Sequence, residues 1–150
     1  MKAVSLTGSW VIKAPLRSVY EIVTDFEKTP MYFPAVAKSL KIIEKNGNHL
    51  SIQVVTKTFG IPFKVKMETD LLPNKGFKSI NESVLAVEDE TFLMEEIPSG
   101  TKINYRNDVT IKNNLLKLFS RLLIGKPALI FWEHAYIDKL RKIVEGKSQL

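Results

Sequence analysis

The 150-residue sequence predicts an α+β fold in which a curved antiparallel sheet of six to seven strands wraps around a long C-terminal helix. Three observations predict it. Apolar residues recur with period two from about residue 36 to 111, the spacing of half-buried strands. The period returns to 3.6 after residue 113, where one apolar stripe runs to the end of the chain. A strand-like segment followed by a short helical one precedes both. The resulting order is β-α-α-β-β-β-β-β-β-α, and with no internal repeat and no linker residues 1–150 read as one domain. A consecutive antiparallel meander with one apolar face must curl over a cover, and the C-terminal helix is the element large enough to supply it.

Residues 3–12 alternate Val4, Leu6, Gly8 and Trp10 with Ser5, Thr7 and Ser9, which predicts the first strand. Pro15 suits the first helical position, because its missing N–H has no helical partner there. A helix of about ten residues follows, with Val19, Ile22, Val23 and Phe26 at helical spacing, and a short second helix or turn spans about 27–34 before Pro34. A strand over 36–45 ends at Asn46-Gly47-Asn48, a hairpin signal. The next covers 49–57, with Leu50, Ile52 and Val54 on one face. Residues 61–72 place Phe63, Val65, Met67 and Leu71 opposite Lys64, Lys66, Glu68 and Asp70. Further strands are expected over 77–83, 90–97 and 101–111. In the last, Ile103, Tyr105, Val109 and Ile111 share a face with Asn107. Beyond Gly125-Lys126-Pro127, residues Leu129, Trp132, Tyr136, Leu140, Ile143 and Val144 form one stripe of a helix near 127–145, stopped by Gly146.

Composition narrows the chemistry. The chain carries 22 basic and 16 acidic residues, a net charge of +6, yet most lysines alternate with acids as on a solvated sheet face. A nucleic-acid footprint needs a like-signed block, and none exceeds the Lys139, Arg141, Lys142 group, so nucleic acid is not an expected partner. The absence of cysteine removes disulfides, thiolate metal sites and cysteine nucleophiles, and suits a reducing, cytoplasmic compartment. The two histidines, His49 and His134, lack metal-ligand spacing, so no metal or other cofactor is expected. The apolar run 122–132 is broken by Lys126 and Pro127 and is too short to span a bilayer.

The string Ile12 to Phe26 (IKAPLRSVYEIVTDF), the stretch Tyr32-Phe33-Pro34-Ala35-Val36, the Gly100-to-Tyr105 segment and the final Leu140-to-Gly146 turn are similar to the START-like superfamily, also called SRPBCC. That superfamily includes polyketide cyclase/dehydrase-like proteins, coenzyme Q-binding proteins and lipid-transfer domains. The resemblance covers essentially the whole chain and implies the helix-grip fold, with an apolar cavity between sheet and C-terminal helix that holds a hydrophobic small molecule. Its motifs are structural, so no catalytic residue carries over.

The expected cavity is lined by Trp10, Val54, Phe63, Val65, Met67, Met94, Tyr105, Asn107, Trp132 and Tyr136. Asn107 interrupts an apolar face, and a buried amide must find a partner in protein, water or ligand. Among the acids, Glu88-Asp89-Glu90 and Glu95-Glu96 read as turn and edge residues. Strand alternation places Glu96 together with Phe92 and Met94, so Glu96 is the one carboxylate with some claim to point inward. Gly8 leaves room under the helix. The segment 115–132 is more apolar than one helix face requires and is flanked by Lys117, Arg121 and Lys126; it is expected to act as a mobile gate touching an anionic membrane surface transiently. The function expected is binding or carriage of a lipid, isoprenoid, quinone or polyketide-like molecule. An aromatase/cyclase-like enzyme is the alternative.

Overall fold

Seven strands form one antiparallel sheet in the order β1-β7-β6-β5-β4-β3-β2. They are β1 (Val4–Ile12), β2 (Ser39–Asn46), β3 (His49–Thr58), β4 (Ile61–Leu72), β5 (Gly76–Glu82), β6 (Ala86–Ile97) and β7 (Gly100–Ile111). The structure is a computed structural model, and it describes residues 4–58, 60–113 and 125–148. Each strand from β2 to β6 pairs with the next in the chain, and β1 closes against β7. Sequence and structure agree on fold class, order and period. The turns follow their residues: Gly47 sits at φ 61 between β2 and β3, and Asn74 at φ 59 between β4 and β5, in the left-handed region that Gly and Asn tolerate.

Between β1 and β2 lie α1 (Leu16–Thr24), a 3₁₀ turn (Phe26–Lys28) and α2 (Thr29–Tyr32). Val19, Ile22 and Val23 form the buried face of α1, as their spacing predicts. The C-terminal helix begins at Lys126, just after the non-helical Gly125, with Pro127 in its first turn. It comprises α3 (Lys126–Trp132), a π-helical turn (Glu133–Ile137) and α4 (Asp138–Ser148), running past the expected stop at Gly146. In the wide turn the Asp138 N–H reaches back to the Glu133 carbonyl, five residues away. Ala135, Tyr136 and Ile137 in that turn are buried against the sheet.

The core lies between the concave sheet face and these helices. Ile12, Ile52, Phe92 and Ile103 meet Phe33, Ile137, Leu140 and Val144, all essentially solvent-free. Aromatic rings hold the centre together: Phe33 stacks on Tyr136 at 4.0 Å, and Phe77 stacks on Phe92 at 5.4 Å.

Candidate functional site

The inward-facing residues form rows running across the strands, because directly paired residues of an antiparallel sheet share a face. One row reads Leu71, Phe77, Phe92, Tyr105, Gly8 and is apolar but for one hydroxyl. The next reads Leu50, Thr69, Ser79, Glu90, Asn107, Leu6, and the one beyond it Ile52, Met67, Asn81, Glu88, Val109, Val4. A band of polar side chains, Thr69, Ser79, Asn81, Glu88, Glu90 and Asn107, therefore crosses the middle of an otherwise apolar concave face.

The hydrogen bonds of the two glutamates run diagonally between rows. The Tyr105 hydroxyl donates to Glu90 Oε2 at 2.6 Å, and Asn81 Nδ2 donates to Glu90 Oε1 at 3.3 Å. Asn107 Nδ2 donates to Glu88 Oε1 at 2.9 Å. Ser79 donates to Asn81 Oδ1 at 2.6 Å and shares a 2.8 Å hydrogen bond with Thr69. Asn107 Oδ1, in a side chain only 5% exposed, has no partner. Burial raises the Glu88 pKa from 4.5 to about 7, and the neighbouring Glu90 charge pushes the same way. Burial also raises Glu90, against the Tyr105 and Asn81 hydrogen bonds that favour its ionised form. The Tyr105 hydroxyl is held protonated, chiefly by burial and then by the Glu90 charge beside it.

This band borders a cavity of about 390 Å³ between the concave face and α3. Its apolar wall includes Val54, Phe63, Val65 and Met67 from β3 and β4, with Leu129, Phe131 and Trp132 from the helix; its polar wall includes Asn81, Glu88, Glu90, Tyr105 and Asn107. An inner chamber of about 90 Å³ shares Val36, Val54, Met67, Glu90 and Trp132 with it and adds Phe77, Phe92 and Tyr136. Trp132 is sandwiched between Tyr105 at 4.2 Å and Tyr136 at 4.9 Å, so the helix is locked to β7 by a three-ring stack. No basic side chain borders either space among the described residues.

Eight of the ten residues expected at the cavity thus border one of the two spaces: Val54, Phe63, Val65, Met67, Tyr105, Asn107, Trp132 and Tyr136. Met94 is solid core. Trp10 lies 5.5 Å from Trp132 and spends its indole N–H on Glu133 at 3.0 Å, bracing the helix from outside the cavity. The room at Gly8 serves Trp10 rather than the helix, since a Cβ there would strike the indole ring.

The acids reverse the sequence-based expectation. Glu96 is exposed near the end of β6, whereas Glu88 and Glu90 point inward. Parity had the answer, since 88 and 90 fall in step with 92 and 94. The strand begins at Ala86 instead of 90, and acids on its inner face erase the hydropathy signal by which a strand start is recognised. Of the expected gate, residues 115–124 lie outside the described residues. In the described remainder, Phe131 is 60% exposed while bordering the cavity, and Ile130 and Lys126 are also exposed. Among the described residues no helix is long and apolar enough to cross a membrane.

A larger concavity of about 640 Å³ lies on the opposite face, bordered by Lys64, Lys66, Glu68, Glu82 and Lys112. It is a solvated surface on which Lys66 pairs with Glu68 at 3.4 Å and Lys112 with Glu82 at 3.1 Å. His49 bridges Glu68 and Asp70 on this face, each at 2.8 Å, and those partners raise its pKa, Asp70 first. His134 pairs with Asp138 at the helix surface.

The family model described as polyketide cyclase / dehydrase and lipid transport matches residues 12–128. No curated protein sequence matches the chain. Among solved structures, a protein from Thermus thermophilus, TTHA0849, superposes with a TM-score of 0.82 at 17% identity, covering 97% of this chain and 99% of that one. A START superfamily protein from Mycobacterium smegmatis gives 0.75 at 17% identity, over 97% and 99% of the two chains. The Zhui aromatase/cyclase from a Streptomyces species gives 0.66 at 13% identity, over 73% and 69%. At these identities the likeness is one of fold, the START-like helix-grip fold.

Proposed function

The chain belongs to the polyketide cyclase / dehydrase and lipid transport family, and from that premise we propose that it binds one amphipathic small molecule in the cavity between sheet and C-terminal helix. The observation that carries this reading is the two-sided cavity: an apolar wall from β3, β4 and α3 faces a polar band from β5, β6 and β7. An apolar body gains about 25 cal/mol per Å² of surface removed from water, while the polar group of the ligand meets Asn107 and the two glutamates. A volume of about 390 Å³ falls in the ordinary range for small-molecule sites.

Native mass spectrometry of the freshly purified protein tests it. A bound mass is expected, or uptake of added 2-(1-naphthyl)ethanol, and Val54→Trp, which places a large ring at a position bordering both chambers, abolishes either. A native mass equal to the bare chain, with uptake neither of the alcohol nor of 2-(1-naphthyl)ethylamine, overturns the reading.

An aromatase/cyclase-like reaction on a polyketide-like substrate is the second reading, favoured by one observation. Glu88, with its pKa raised to about 7, can take and return a proton at neutral pH beside the cavity. Glu88→Gln would then abolish product formation while leaving substrate binding intact; unchanged turnover excludes this role.

A further inference from the structure

Two carboxylates side by side on a cavity wall, with no basic residue among the described residues that border it, form an incomplete electrostatic arrangement. Burial makes a carboxylate costly unless it is paired or protonated. The protein partners of this pair are neutral: Asn107 for Glu88, and Tyr105 and Asn81 for Glu90. Beside them Asn107 Oδ1 is an acceptor with no donor, although the residue is only 5% exposed. Its orientation follows from its neighbour when Glu88 is ionised, since the Asn107 atom 2.9 Å from a carboxylate oxygen is then the N–H that donates to it. What the wall offers a ligand is therefore acceptor capacity on Asn107 together with two carboxyl groups whose ionised form burial disfavours and a bound cation would favour.

We propose that the ligand class of this cavity is an apolar amine, bound with its protonated nitrogen between Glu88, Glu90 and the free oxygen of Asn107 and its hydrocarbon body against Phe63, Leu129 and Phe131. This rests on the small-molecule reading above and names the chemistry of that molecule. An ammonium supplies in one group the donor that Asn107 Oδ1 lacks and the positive charge that the described residues around the pair do not provide. A hydroxyl supplies only the first and leaves two carboxyls desolvated by the ligand itself. The charged groups facing the pair are consistent with this, because the inner faces of β4, β5 and β7 contribute Thr69, Ser79, Asn81, Tyr105 and Asn107, none of them cationic.

The test is a matched pair of probes, 2-(1-naphthyl)ethylamine and 2-(1-naphthyl)ethanol, equal in shape and apolar area and differing in the ammonium. Titration calorimetry at neutral pH is expected to show the amine bound at least about tenfold more tightly than the alcohol, the order of a charge-assisted hydrogen bond. Glu88→Gln and Glu90→Gln, separately, bring that ratio toward one by weakening the amine more than the alcohol, and a cooperative urea unfolding transition shows that each variant is folded. Equal affinity for the two probes in the unaltered protein, or a preference for the amine that survives both substitutions, overturns the amine assignment and leaves the cavity reading standing. Binding of neither probe removes the cavity reading itself.

Discussion

Replacing Glu88 by Gln tests whether the carboxyl is as costly to ionise as its surroundings imply. In the unfolded chain it titrates near 4.5 and in the folded protein at about 7. The folded state therefore holds a proton that the unfolded state has lost between those two values, and stability falls as pH rises through that window. Below pH 4.5 both states are protonated and the effect vanishes. Above 7 it is complete, and at about 1.4 kcal/mol per pH unit it amounts to roughly 3 kcal/mol, an upper figure because water in the cavity solvates the carboxylate in part. Gln keeps the volume and still accepts from Asn107 Nδ2. Urea unfolding at pH 5 and pH 8 should give Glu88→Gln close to the stability of the unaltered protein at pH 5 and more stable by about 2 to 3 kcal/mol at pH 8, with unchanged m-values. The comparison is made between the two proteins because His49, whose pKa is raised by Asp70 and Glu68, also loses stabilising interactions as pH rises, equally in both. A stability difference independent of pH, or a variant less stable at pH 8, would refute the reasoning.

Three further outcomes are expected. Gly76→Ala places a Cβ against the Phe92 carbonyl at φ 129 and should cost on the order of 3 kcal/mol by thermal unfolding, whereas Gly47→Ala, whose Cβ meets nothing, costs about 1. Trp132→Ala removes the ring between Tyr105 and Tyr136 and should cost about 3 kcal/mol in urea unfolding; a loss under 1 would mean that the stack does not fasten the helix. Glu96→Gln, on an exposed residue, should change stability by less than about 0.5 kcal/mol in the same assay, in contrast to Glu88→Gln at pH 8.

The strands and their order could be read along the chain because the signal is local. Alternation along β4 and β7, Asn46-Gly47-Asn48 and the Leu129-to-Val144 stripe each report on neighbours within a few residues, and the structure follows them. The same stripe and alternation named most of the residues that border the cavity, because a residue facing a concave sheet is apolar whether or not it touches a void. Which of them meet the void and which are solid core, as with Phe63 against Met94, depends on sheet curvature and on where the helix lies. The polar band lay beyond such reading for a further reason. An inward glutamate carries the same hydropathy as an outward one, and what makes Glu90 tolerable inside is a tyrosine 15 residues away and an asparagine nine away, while Glu88 depends on an asparagine 19 away. The place of Trp10 is decided in the same manner, its indole N–H being claimed by Glu133 across 123 residues of chain. Apolar burial follows from a residue's own character, but burial of a charge is decided by its partners, and those come together only when the sheet has closed.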